Sequence, residues 1–161
     1  MFGRKRTTDN SSFVFTKKKG LAMLGSLLSL VPLLLLFAPL YLSAYGEGEE
    51  VTYAYTSFFE SSRHLPGTVH PVAMWILMGI YLALTALAEF LLIRSLYANP
   101  MAGDKEDKFF VFGFFTFIGA STFLAMTMVG LQSFIPMGIA IALIFVGVGI
   151  LVYHYKNLSS I

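Results

Sequence analysis

The chain has 161 residues, of which 57% are hydrophobic and 12% charged, against about 25% charged in an ordinary soluble domain. That composition excludes a soluble globular fold, while the formal net charge of +2 matters less than where the charges fall. Cysteine is absent, which removes disulfides, thiolate chemistry and cysteine-ligated metal.

Residues 1–19 form a basic N-terminal segment carrying Arg4, Lys5, Arg6, Lys17, Lys18 and Lys19. Its first fifteen residues are expected to be mobile or to lie along the membrane surface. Lys17, Lys18 and Lys19 are candidate contacts for anionic lipid headgroups, each charge contributing about 1 kcal/mol near such a surface. They also serve to orient the first span.

The first apolar run, Gly20–Tyr45, exceeds the ~20 residues that cross ~30 Å of hydrocarbon as a helix. A signal-peptide core is only about 7–15 residues long, so this run reads as a retained span. Pro32 and Pro39 are seven positions apart and are expected to bend one face of that helix. The loop 46–70 is acidic, with Glu47, Glu49, Glu50 and Glu60 against Arg63 alone. Tyr41, Tyr45, Tyr53, Tyr55, Phe58, Phe59 and Trp75 read as an aromatic belt at a membrane interface. Val51–Phe59 is rich in strand-forming residues and predicts a short extended or interfacial segment over the bundle mouth. Glu60, His64 and His70 could meet only if the intervening Leu-Pro-Gly turn folds them together; no metal site is assigned to them.

The second run, Pro71–Leu96, contains Glu89, the one acidic residue within a span. An intramembrane carboxylate is costly and therefore a functional candidate. Tyr81, Thr85 and Glu89 fall on one helical stripe and form the candidate proton or substrate site, with Tyr81 and Thr85 as hydrogen-bond partners of the carboxylate. Glu89 lies five residues before Arg94, so it is expected in the third of the bilayer nearest that arginine, at the headgroup rim beside a basic side chain.

The third run, Phe109–Leu131, opens with Phe109, Phe110, Phe112, Phe114, Phe115 and Phe117, so densely that some rings must face lipid. The fourth run is Ile135–Tyr153, followed by a short tail, 156–161. Small residues four apart recur in every run: Gly25 with Ser29, Gly79 with Ala83, Ser121 with Ala125, and Gly138 with Ala142. Such pairs permit close helix approach where lipid offers no hydrophobic drive. The predicted fold is an all-α integral membrane bundle of four transmembrane helices.

Ten of the eleven Lys and Arg residues flank one side of the runs. The positive-inside rule puts both termini and the loop 99–108 in the cytoplasm, and the acidic loop outside. The span order and the larger first outer loop resemble claudin-type tetraspan proteins in topology alone, since their Trp and paired-Cys loop signature is missing. The halves show no internal repeat of the kind many transporters carry.

No catalytic template appears, so neither catalytic residues nor a cofactor is assigned. The expected partners are the bilayer and other membrane subunits or further copies of the chain, with no nucleic acid. The leading expectation is a non-enzymatic accessory or scaffold subunit of a cell-membrane assembly. The rival is a small oligomeric proton-coupled transporter working through Glu89.

Overall fold

The computed structural model describes residues 9–46, 50–64, 70–97 and 104–158, with side chains for 17–46, 50–64, 70–97 and 108–157. In chain order the elements are α1 (Asp9–Leu35), β1 (Tyr41–Tyr45), β2 (Thr52–Thr56), α2 (Phe58–Ser61), α3 (Pro71–Leu96), α4 (Asp104–Gly130) and α5 (Phe134–Leu158). Four helical stretches are long and apolar enough to cross a membrane: Lys17–Leu35, Pro71–Leu96, Lys108–Gly130 and Phe134–Asn157. The class these elements define is a multi-pass helical membrane protein. Packing is cyclic: α3 lies against α1 and α4, α4 against α5, and α5 closes more lightly on α1.

α1 begins at Asp9, so Lys17–Lys19 sit inside a continuous helix rather than ahead of one. At its other end the sequence expectation fails. The apolar run continues to Tyr45, but the helix stops at Leu35. Leu36, Phe37 and Ala38 then tighten into successive turns onto Leu33, Leu34 and Leu35. Pro39 is the physical cause: it has no donor, and it disfavours helical geometry at Ala38. Pro39 therefore ends the helix, and of the two prolines only Pro32 lies within it.

The apolar residues after Pro39 form a hairpin, so the molecule is not wholly helical. β1 and β2 pair antiparallel, from Tyr41 opposite Thr56 to Tyr45 opposite Thr52. Gly46 opens the turn at φ +109°, and a Cβ there would meet the Glu50 carbonyl oxygen at 2.2 Å. Only glycine adopts this conformation in this space without strain. The expected extended segment over the bundle mouth is thus present, paired with residues that the hydropathy pattern had assigned to the membrane.

The hairpin is tied down at several points. The Leu42 N–H donates to Ser133 Oγ (3.2 Å), Ser61 Oγ donates to the Leu42 carbonyl (2.7 Å), and the Phe58 N–H donates to the Leu36 carbonyl (3.0 Å). Ser43 and Thr56 join hydroxyl to hydroxyl across the strands. Phe58 is fully buried, edge-on to Tyr41 at 5.5 Å and to Trp75 at 5.6 Å. Aromatic pairs of this geometry contribute about 0.5–1.5 kcal/mol beyond the area they bury.

α3 runs over the expected residues. Pro71 opens it, and His70 caps it by accepting the Val72 N–H on Nδ1 at 3.3 Å. α4 ends in a Schellman closure: the Ser133 N–H reaches the Met128 carbonyl and the Gln132 N–H the Val129 carbonyl. Gln132 occupies the left-handed position at φ 55°.

Close helix approach comes from glycines other than most of those the pair rule singled out. Gly79, Ala83, Gly138 and Ala142 face outward, and a Cβ on either glycine meets nothing within 4 Å. A Cβ on Gly25 would sit 2.6 Å from the Phe114 ring, one on Gly113 2.9 Å from Leu92, and one on Gly147 2.8 Å from Ile118. Phe110, Phe114 and Phe117 form the buried stripe of α4, whereas Phe112 and Phe115 are exposed, as the ring density required.

Candidate functional site

The bundle interior consists of two apolar clusters with a polar layer between them. At the hairpin end Tyr41, Phe58, Met74, Met78, Tyr81, Leu124 and Met128 pack together. At the end carrying both termini, Ala22, Leu92, Phe110, Phe114, Phe117 and Leu151 do so. Ser29, Thr85 and Ser121 are all buried, and each lies in sequence between members of the two clusters.

Glu89 reaches this layer from α3. Its carboxylate is partly buried and accepts from Ser26 Oγ at 2.5 Å on one oxygen and from Ser29 Oγ on the other. Both serines belong to α1, so the partners of the carboxylate are interhelical. Tyr81 and Thr85 do not bond it: the Thr85 hydroxyl donates to the Tyr81 backbone carbonyl at 2.9 Å on their own helix. The expected basic neighbour is replaced by two hydroxyls. On its own helix Glu89 lies seven residues before Leu96, about 10 Å from that end at 1.5 Å per residue.

Tyr81 and Thr85 do join the layer by another route. With Ser29, Ser121, Pro32, Ala88, Phe117 and Ala120 they line a cavity of about 10 Å³, roughly the room of a single water. Pro32 deprives the Leu28 carbonyl of its helical donor, which adds an acceptor to this region. Ser29 is shared: it borders the cavity and holds Glu89.

Hydrogen accounting defines what this arrangement can do. Ser29 Oγ also lies 2.9 Å from the Ser26 carbonyl, and a hydroxyl has one hydrogen to give. With the carboxylate ionised, two serine hydrogens serve three contacts. With a proton on Glu89, that proton goes to Ser29, the Ser29 hydrogen to the Ser26 carbonyl, and the Ser26 hydrogen to the second carboxyl oxygen. The layer can therefore hold a proton with every contact supplied.

Sequence reasoning missed Ser26 as a partner and placed Ser29 only in a small-residue pair. The available signal was that these are the only hydroxyls between Lys19 and Tyr41, three residues apart and so on one face. Lys18 and Lys19 are partly buried, and Lys18 Nζ lies 5.8 Å from the Phe110 ring centroid. Among the loop residues, Tyr45 donates its hydroxyl to Glu60 at 3.0 Å and stacks on His64 at 4.6 Å. His70 is engaged at the α3 cap, and among the described residues no three metal-capable side chains converge. Compared with known protein families, curated proteins and solved structures, the chain shows no match.

Proposed function

We propose that the protein is a non-enzymatic accessory or scaffold subunit of a cell-membrane assembly, with both termini cytoplasmic and the hairpin outside. The charge distribution supports the orientation through the positive-inside rule. The observation that carries the function is the edge of the hairpin, which no other strand covers among the described residues. β2 is the outer strand of a two-stranded sheet, and Thr52–Tyr55 are exposed, Tyr53 to 62% and Tyr55 to 52%. An unpaired strand edge is a template for pairing with another chain. Tyr41 and Phe58 fix this edge to the bundle, so a partner would meet a preorganised aromatic surface at little ordering cost.

Gentle solubilisation, sizing and mass spectrometry of co-purifying chains test the reading. The wild type is expected in a complex that Tyr53→Lys/Tyr55→Lys disrupts while the bundle keeps its helical signal. A chain that always runs alone with bound lipid sinks it.

The Glu89–Ser26–Ser29 contacts and the adjoining polar cavity favour a second reading, in which Glu89 exchanges a proton in a small oligomeric carrier. A cavity of about 10 Å³ admits water and no larger solute, so a substrate path would have to form between subunits. A pH-dependent flux in vesicles abolished by Glu89→Gln would establish this reading, and unchanged flux would remove it.

A further inference from the structure

A second feature lies at the end of the bundle that carries both termini, on the outer surface between α3 and α4. A groove of about 690 Å³ runs there, within the ~300–1,000 Å³ range of small-ligand sites. α3 contributes Leu87, Leu91 and Arg94, spaced i, i+4, i+7 along one stripe. α4 contributes Phe109, Phe112 and Thr116 at i, i+3, i+7, with Lys108 at the mouth. The helices are antiparallel, so Arg94 and Lys108 share one end of the groove, and Leu87 and Thr116 share the other. Seven residues at 1.5 Å give a length of about 10 Å, most of one leaflet's ~15 Å share of the hydrocarbon.

We propose that this groove binds an anionic phospholipid, its phosphate against Arg94 and Lys108 and an acyl chain along Leu87, Leu91 and Phe112. The apolar floor is open: Leu87 is 48% exposed and Phe112 60%. In a membrane-spanning stretch, an acyl chain is the occupant present at high concentration. Charge supplies the selectivity. Lys108 precedes Phe109 in the chain, and the Arg94 guanidinium lies 4.9 Å from that ring's centroid. Stacking fixes the guanidinium plane and leaves its N–H edge for a phosphate. Among the described residues neither cation is paired with a carboxylate. Basic pockets between spans at this level suit anionic headgroups, while a phosphocholine carries its own neutralising charge.

Native mass spectrometry of the purified full-length chain, titrated separately with phosphatidylglycerol and phosphatidylcholine, tests the site. Retention of a single phosphatidylglycerol is expected, with a preference of about tenfold or more over phosphatidylcholine. Arg94→Gln/Lys108→Gln should bring the two lipids level, and Lys17→Gln/Lys18→Gln/Lys19→Gln should leave the preference intact. Leu91→Trp fills the floor with both charges in place and should lower phosphatidylglycerol retention by about tenfold; it decides the matter if the charge variant fails to fold. Equal retention of both lipids by the wild type overturns the proposal. So does full phosphatidylglycerol retention by Leu91→Trp, or a preference lost only with Lys17–Lys19.

Discussion

If Glu89 is held by α1, removing the two serines should destabilise the bundle only while the carboxylate is present. Ser26→Ala/Ser29→Ala leaves a partly buried carboxylate without its donors, whereas the same change beside Glu89→Leu removes both sides of the interaction. Hydrogen bonds to charged groups contribute about 1.5–3 kcal/mol in soluble proteins. Interhelical bonds measured by double-mutant cycles in membranes average about 0.6 and reach about 1.7 kcal/mol. Two charge-assisted contacts on one carboxylate belong toward the upper end of the membrane range, so the coupling should be about 1.5–3 kcal/mol in total. Reversible unfolding by dodecyl sulfate in mixed micelles, followed by circular dichroism, supplies the four stabilities. A coupling below about 0.5 kcal/mol would refute the α1 contact, since unconnected sites add to within that figure. The same cycle run with Thr85→Val should give almost none, because Thr85 bonds its own helix. A larger coupling there than with the serines would restore the single-helix stripe.

Gly25→Ala should destabilise by about 1–3 kcal/mol, because its Cβ meets the buried Phe114 ring at 2.6 Å; Gly79→Ala, with open space around it, should be neutral or slightly stabilising in the same titration. Gln132→Gly should stabilise by about 1 kcal/mol, since glycine carries no penalty in the left-handed closure of α4; a loss of stability would contradict the assigned turn. Burial, reinforced by the neighbouring Tyr81 phenol, pushes the Tyr41 phenol above its ordinary value of 10.0. The folded state then keeps a proton that the unfolded chain releases above that pH, so Tyr41 contributes stability below pH 10 that is lost above it, at up to about 1.4 kcal/mol per pH unit. Tyr41→Phe should flatten that alkaline decline in the unfolding curve, and an equal slope in the two proteins would count against it.

The bounds of α3 were legible because Pro71 and the last apolar residues coincide with real ends of lipid-crossing helix. The end of α1 was not, because hydropathy does not distinguish residues buried in lipid from residues buried on protein. Tyr41 and Ser43 are almost fully buried, yet they lie in a strand docked on the bundle. Pro39 was the usable signal, and it marked a stop rather than a bend. Glu89 was identifiable as unusual from its type alone. Its partners were not, since helical spacing orders residues along one helix and says nothing of which neighbour faces them. The outward-facing Gly79 and Gly138 make the same point: a motif for close approach needs a second helix in position.

The hydrogen bond from Leu42 to Ser133 joins two parts of the chain made at different times. During synthesis the hairpin emerges long before α4 and α5, yet Ser133, Met128 and Leu131, against which it docks, belong to the turn between those last helices and the end of α4. Until α4 and the turn after it are in place, Tyr41 and Phe58 lack the part of their seat that Leu124, Met128 and Leu131 supply. The hairpin face of the protein is thereby a record of completed assembly. A protease or a conformation-specific antibody acting on the hairpin would distinguish a finished bundle from a chain arrested before α4.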